Sequence, residues 1–334
     1  MTVADTRARF VGLVDLACDS MGGKAIACED DFFAGMENLT KDAPAIFLPD
    51  EYTDRGKWMD GWESRRKRVK GTDWCVVKLG APGVIRGVDI DTAHFLGNHP
   101  PFASLEGSAD GESWTMLIPP SPLRPGSQNL FSVLDAGVYT HVRLTLFPDG
   151  GVARLRVYGE VRAEWAPNED ATVPANRDEV DLVAVKHGGL ALACSDAFFG
   201  PMNNLIAPGR AANMGGGWET RRRLGRPYDD RPDWILLRLG ARGTLGLVEV
   251  DTNHFKGNFP DRCALDGIDA PDATVPELLE SDAWKRALPE QKLRAHERHF
   301  FRDQLADAGP FTHVRLWIYP DGGISRLRLF GTRA

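Results

Sequence analysis

Two short clusters in this chain combine residue types used for proton transfer and anion recognition, and each occurs twice in the same order. Trp62, Glu63, Arg65 and Arg66 return as Trp218, Glu219, Arg221 and Arg222. Asp91, His94, Gly97 and Asn98 return as Asp251, His254, Gly257 and Asn258. Glu, Asp and His exchange protons near neutral pH when their surroundings tune them. The planar fork of Arg grips a carboxylate through two parallel hydrogen bonds, and Asn offers an amide or ureido group both a donor and an acceptor. The set suits a small anionic substrate. The competing reading is structural, because Arg and Glu on neighbouring strands form solvated charge lattices and a His can simply hold a turn. Repetition in both halves favours function.

The elements that must position these residues are themselves repeated. Matched residues stand 166 apart for Cys28 and Cys194, 156 for Trp62 and Trp218, 160 for His94 and His254, and 172 for His141 and His313. The drop to 156 marks an insertion in the first copy around residues 41–56, whose Pro and Asp content reads as a surface loop. Two domains follow, residues 14–159 and 180–331, joined by a Glu-, Pro- and Asn-rich linker at 160–179.

Period-two alternation identifies the strands. Val142, Leu144 and Leu146 alternate with Arg143, Thr145 and Phe147, and Val314, Leu316 and Ile318 repeat the pattern. Each run is followed by Pro-Asp-Gly-Gly (148–151 and 320–323) and a second alternating strand, which predicts a hairpin. Gly80-Ala81-Pro82-Gly83 and Gly240-Ala241-Arg242-Gly243 read as further turns. Residues 277–306 match a Pro-rich stretch of the first copy and predict loop and strand, with a short helix beforehand. The fold class is all-β, with two tandem antiparallel β-sandwiches closed by loops.

Composition narrows the partners. With 43% hydrophobic and 26% charged residues the chain is globular, and its net charge of −7 without a long basic run excludes nucleic acid and anionic membrane as expected partners. No apolar run of about 18 residues occurs, and the amino terminus lacks a signal-peptide pattern. The cytoplasm is the expected location. Five cysteines, two of them at matching positions inside apolar strands (Cys28 and Cys194), read as buried free thiols.

Other chemistries have weaker support. There is no Cys-x-x-Cys pair, no His-Glu-x-x-His, and no Gly-x-Ser-x-Gly elbow. His296 and His299 have no first-copy counterparts, since Gly126 and Asn129 stand there. No cofactor is required by the sequence, although a divalent metal on Asp, Glu and His ligands is compatible with it.

The runs Asp60-Gly61-Trp62-Glu63-Ser64-Arg65-Arg66, Asp73-Trp74 and Asp89-Ile90-Asp91-Thr92-Ala93-His94-Phe95-Leu96-Gly97-Asn98-His99-Pro100 strongly resemble allantoicase, and the resemblance spans both copies. It implies tandem jelly-roll domains of the galactose-binding-like kind, and hydrolysis of allantoate to ureidoglycolate and urea in purine degradation. Glu63, Asp91 and His94, or Glu219, Asp251 and His254, would then move protons. Trp62, Arg65, Arg66 and Asn98, or Trp218, Arg221, Arg222 and Asn258, would bind substrate. A homo-oligomer is expected as well. The alternatives are a non-catalytic tandem lectin-like module with Trp62 and Trp218 as ligand platforms, and a hydrolase or lyase of a related ureido compound.

Overall fold

A computed structural model describes residues 9–165, 170–223 and 232–334. The chain divides into two compact units, Met1–Arg162 and Ala163–Ala334. Each is an all-β jelly-roll sandwich built on one connected eight-stranded antiparallel sheet.

In the first unit the connected order is Val14–Asp15, Arg154–Val161, Asp73–Asp91, Val138–Phe147, Phe102–Ser108 and Thr115–Pro122, with Lys24–Cys28 and Leu130–Ser132 added along Asp73–Asp91. The second unit repeats this connectivity around Asp233–Asp251. The long strand makes the sandwich possible because its two halves have different neighbours. Residues 73–78 pair with 141–146, while 84–91 pair with 154–160. Inward positions of both halves, such as Cys75, Val77, Val88 and Ile90, are fully buried.

Two local expectations are corrected by this topology. Gly80–Gly83 is not a turn but the bend inside Asp73–Asp91, where the register with Val138–Phe147 skips. Glycine is needed there for closeness, since a Cβ on Gly80 would lie 2.6 Å from the Met21 carbonyl oxygen and one on Gly83 would lie 2.8 Å from Leu16. Gly240–Gly243 likewise lies within Asp233–Asp251. The strands around Pro148–Gly151 do not pair as a hairpin either. They flank opposite halves of Asp73–Asp91, and between them Gly151–Val152 pairs with Trp62–Glu63. The Pro-Asp-Gly-Gly step is therefore a crossover that leads into the pairing with Trp62–Glu63.

The segment between the two repeats has contacts of its own. Residues 166–169 lie outside the described residues, but Val173 is buried with Leu247 and Phe330, and Glu179 pairs with Arg302 at 2.8 Å. An apolar side chain and a paired carboxylate dock this segment on the second unit. Of the cysteines, all free, Cys75 and Cys263 are buried, whereas Cys18, Cys28 and Cys194 are half-buried. Residues 277–306 form the strands Lys285–Lys292 and Arg298–Phe301, preceded by the short helix Val275–Glu280.

Candidate active site

Glu63 is aimed by strand alternation. The two-residue strand Trp62–Glu63 is held by Gly151–Val152 on one side and by a bridge to Ala34 on the other. Alternation sends Trp62 into the core, with no accessible surface, and turns Glu63 the opposite way. Its carboxylate Oε1 accepts a 2.7 Å hydrogen bond from Asn98 Nδ2. Burial raises the Glu63 pKa above the ordinary carboxylate value, and the Asn98 bond opposes that rise. This carboxylate holds a proton more tightly than an exposed one.

His94 and Asn98 come from the segment that follows Asp73–Asp91. Asp91 Oδ1 accepts from the Ala93 amide at 2.8 Å and the Phe95 amide donates to the Thr92 carbonyl at 2.9 Å, which forces a tight turn with His94 at φ 70°. A non-glycine residue with positive φ is strained and persists only where its surroundings hold it. Phe95 is the anchor, fully buried, and so close to Gly151 that a Cβ there would sit 2.0 Å from its ring. His94 stacks on Phe47, with ring centroids 5.7 Å apart, and its Nε2 lies 3.1 Å from the Ala45 carbonyl. A carbonyl can only accept, so Nε2 carries the hydrogen and Nδ1 is the nitrogen left to exchange a proton.

These groups line one cleft of about 350 Å³, bounded by Phe33, Phe47, Lys57, Met59, Glu63, His94, Leu96 and Asn98. Its outer wall is the insertion, which includes the small hairpin Tyr52–Thr53 and Gly56–Lys57. Asp60 pins that insertion down. Its carboxylate receives Arg154 Nη2 at 2.7 Å, Lys41 Nζ at 3.1 Å and the Ile46 amide at 3.1 Å. Burial by itself would raise the Asp60 pKa, but these bonds outweigh it and hold the group below its ordinary range.

Several of the repeated residues have other work. Trp62 and Trp218 are fully buried, and their indole N–H groups donate to the carbonyls of Asp30 and Asp196 at 2.8 and 2.9 Å. They are core residues, which corrects the expectation that they contact substrate and removes the aromatic platforms of the lectin-like reading. Arg65 lies outside the cleft, ion-paired with Asp30 at 2.6 Å and stacked over Phe32. Arg221 repeats this with Asp196 and Phe198, and Arg66 and Arg222 are exposed. Asp91 and Asp251 brace the turns before the two histidines. Trp62, Trp218, Arg65, Arg221, Asp91 and Asp251 thus have structural partners in both copies, and nothing in the structure explains the recurrence of Arg66 and Arg222.

The second unit has the corresponding carboxylate and amide, with Asn258 Nδ2 bonded to Glu219, and His254 at φ 71°. Its surroundings differ. His254 Nε2 is 2.9 Å from the Ala211 carbonyl, its amide donates to His296 Nδ1 at 2.8 Å, and Met214 Sδ lies 3.3 Å from Asn258 Nδ2. His299 is buried, accepting from the Arg294 amide at 2.9 Å. Among the described residues no three His, Cys, Asp or Glu side chains converge as a metal-binding group.

Sequence reasoning did not select Phe33, Phe47, Lys57, Met59 or Leu96. The one available signal was the insertion itself, since four of the five lie in it or close beside the clusters it covers.

A tandem pair of jelly-roll sandwiches, with a carboxylate, an amide and an imidazole facing one cleft, defines a small-molecule site on a β-sandwich scaffold. The model of the allantoicase repeat matches residues 14–162 and again 180–334. A probable allantoicase 1 of Burkholderia mallei is 47% identical, covering 96% of this chain and 94% of its own length. A probable allantoicase of Photobacterium profundum is also 47% identical, covering 97% and 98%. The crystal structure of Saccharomyces cerevisiae allantoicase superposes with a TM-score of 0.78 at 32% identity, covering 95% of this chain and 92% of that one. The chain belongs to the allantoicase family.

Proposed function

We propose that this protein hydrolyses allantoate to ureidoglycolate and urea, and that the cleft of the first unit is where it does so. The observation that carries the site is the convergence of Glu63, Asn98 and His94 on a cleft of about 350 Å³, a volume suited to a small molecule. Family membership carries the reaction.

In allantoate one carbon bears a carboxylate and two ureido groups. Protonation of one ureido nitrogen lets its carbon–nitrogen bond break and urea leave, while the lone pair of the other nitrogen forms an acyl-iminium with the same carbon. Water then adds to that carbon, its oxygen forming the new bond and its proton passing to a base. His94, through Nδ1, delivers the proton to the departing nitrogen. Glu63, made more basic by burial, takes the proton from water. Asn98 donates to Glu63 and keeps its amide oxygen for a ureido N–H. The step needs no covalent enzyme intermediate.

Urea and ureidoglycolate release from allantoate by the purified protein tests this reading. Equal amounts of both products are expected, and absence of turnover would sink it. A chelator-treated sample run alongside addresses the metal: activity lost on chelation and restored by a divalent ion would replace the metal-independent step. A cytoplasmic homo-oligomer completes the proposal, checked by fractionation and by light scattering. In support of the location, no helix among the described residues is long and apolar enough to cross a membrane.

A further inference from the structure

We propose that Lys57, held by the insertion that only the first copy has, is the group that binds the substrate's carboxylate, and that it makes the first unit's cleft selective for anions. This rests on the hydrolytic reading of the same cleft.

The repeated arginines are the obvious anion clamps, yet their charges are already matched. Arg65 is paired with Asp30 and Arg221 with Asp196, and Arg154 is buried on Asp60. Apart from His94, Lys57 is the one basic side chain in the cleft wall among the described residues. Its ammonium sits 5.0 Å from the ring centroids of both Phe47 and Tyr52 and donates to the Pro49 carbonyl at 2.6 Å. Two ring faces and a carbonyl stabilise a cation but carry no net charge, and among the described residues no carboxylate is ion-paired with this ammonium. An ammonium has three hydrogens, which leaves two for a ligand. Removal of part of its water by the rings strengthens its attraction for an anion.

The second copy has no cation at the matching position. At the offset that matches Trp62 with Trp218, Lys57 falls on Asn213, whose side chain accepts from the Gly215 amide and caps the turn Met214–Gly216. Within that turn Met214 touches Asn258. The insertion therefore turns a repeated carboxylate–amide pair into a site with an anion clamp.

The test compares wild type, Lys57→Met and Lys57→Arg in urea release from allantoate, with thermal melts to confirm folding. Lys57→Met should raise KM by about 30-fold, equivalent to about 2 kcal/mol at 1.4 kcal/mol per factor of ten, with kcat within about fivefold of wild type. Lys57→Arg, which keeps the charge, should recover KM to within about fivefold. A KM within twofold of wild type for Lys57→Met, or Lys57→Arg as impaired as Lys57→Met, would overturn the proposal. A second arm measures allantoate binding by calorimetry in a Glu63→Gln background, with and without Lys57→Met. Weakening by about 30-fold supports the clamp and unchanged affinity refutes it. This arm reports on Lys57 even if wild type releases no urea, which would count against the hydrolytic reading alone.

Discussion

The first and second units share a fold, a strand order and a Glu–Asn pair beside a strained histidine, but they differ in what surrounds that pair. In the first, Asp60 anchors an insertion that supplies Phe47 and holds Lys57. In the second, Gly216 stands in place of Asp60, and Arg326, the counterpart of Arg154, donates to the carbonyls of Gly209, Gly216 and Ser325 and, among the described residues, to no carboxylate. Burial, reinforced by neighbouring Arg328, pushes Arg326 down to about 10. A buried arginine can thus be satisfied by either set of partners. The carboxylate of Asp60 adds something that concerns the site: a fixed point for the insertion.

The sharpest way to break this asymmetry is to remove the two carboxylates in turn. Glu63→Gln should lower kcat by about 10²- to 10⁴-fold, the range for one positioned proton-transfer group, whereas Glu219→Gln should stay within tenfold. Because burial raises the Glu63 pKa, the acidic limb of kcat/KM should lie above the ordinary carboxylate range. Asn98→Ala should move it further up, since the bond from Asn98 is what lowers that pKa.

The histidines give a second, somewhat smaller contrast. His94→Ala is expected to cost about 10²-fold or more in kcat/KM and His254→Ala less than tenfold. Mild losses of similar size in both variants would mean that the first unit is not the single working site.

Stability sharpens the comparison in another way. Asp60→Ala leaves Arg154 buried without its carboxylate, and chemical denaturation at pH 7 should show a loss of about 3 kcal/mol. The native pKa of Asp60 is held below its ordinary value, so its stabilisation is present above about pH 4 and is lost as pH falls through the native pKa. The deficit of the variant should therefore shrink in acid. A loss below about 1 kcal/mol at pH 7 would show that the carbonyls satisfy Arg154 as they satisfy Arg326.

Smallest of all should be the effect of Arg65→Ala and Arg221→Ala. Both side chains are more than half exposed, at 64% and 57%, and each is paired with an aspartate, so stability should change by about 1 kcal/mol or less and KM by less than threefold. A large rise in KM for Arg65→Ala alone would transfer the anion clamp from Lys57 to Arg65.

Much of the fold was legible because alternation and repetition are local signals. The buried faces of Val142–Leu144–Leu146 and Val314–Leu316–Ile318 follow from period two, and the short helix at Val275–Glu280 was expected just before residues 277–306. Pairing was less legible. The strands on either side of Pro148–Gly151 are neighbours in sequence, yet each finds its partner in a different half of Asp73–Asp91.

At the site, the sequence by itself determined the two copies, the all-β class, the family, and the short set of repeated polar residues from which Glu63, His94 and Asn98 come. Only the tertiary structure decided which of those residues face a cleft. Repetition marks whatever both copies need, and a buried Trp62 or a turn-bracing Asp91 is needed as much as a reactive Glu63. Adjacent residues such as Trp62 and Glu63 point to opposite sides of one strand, and which side is core depends on Ala34 and Gly151, brought there from far along the chain. Lys57 could not be found as a repeated residue, because the second copy has Asn213 at the matching position.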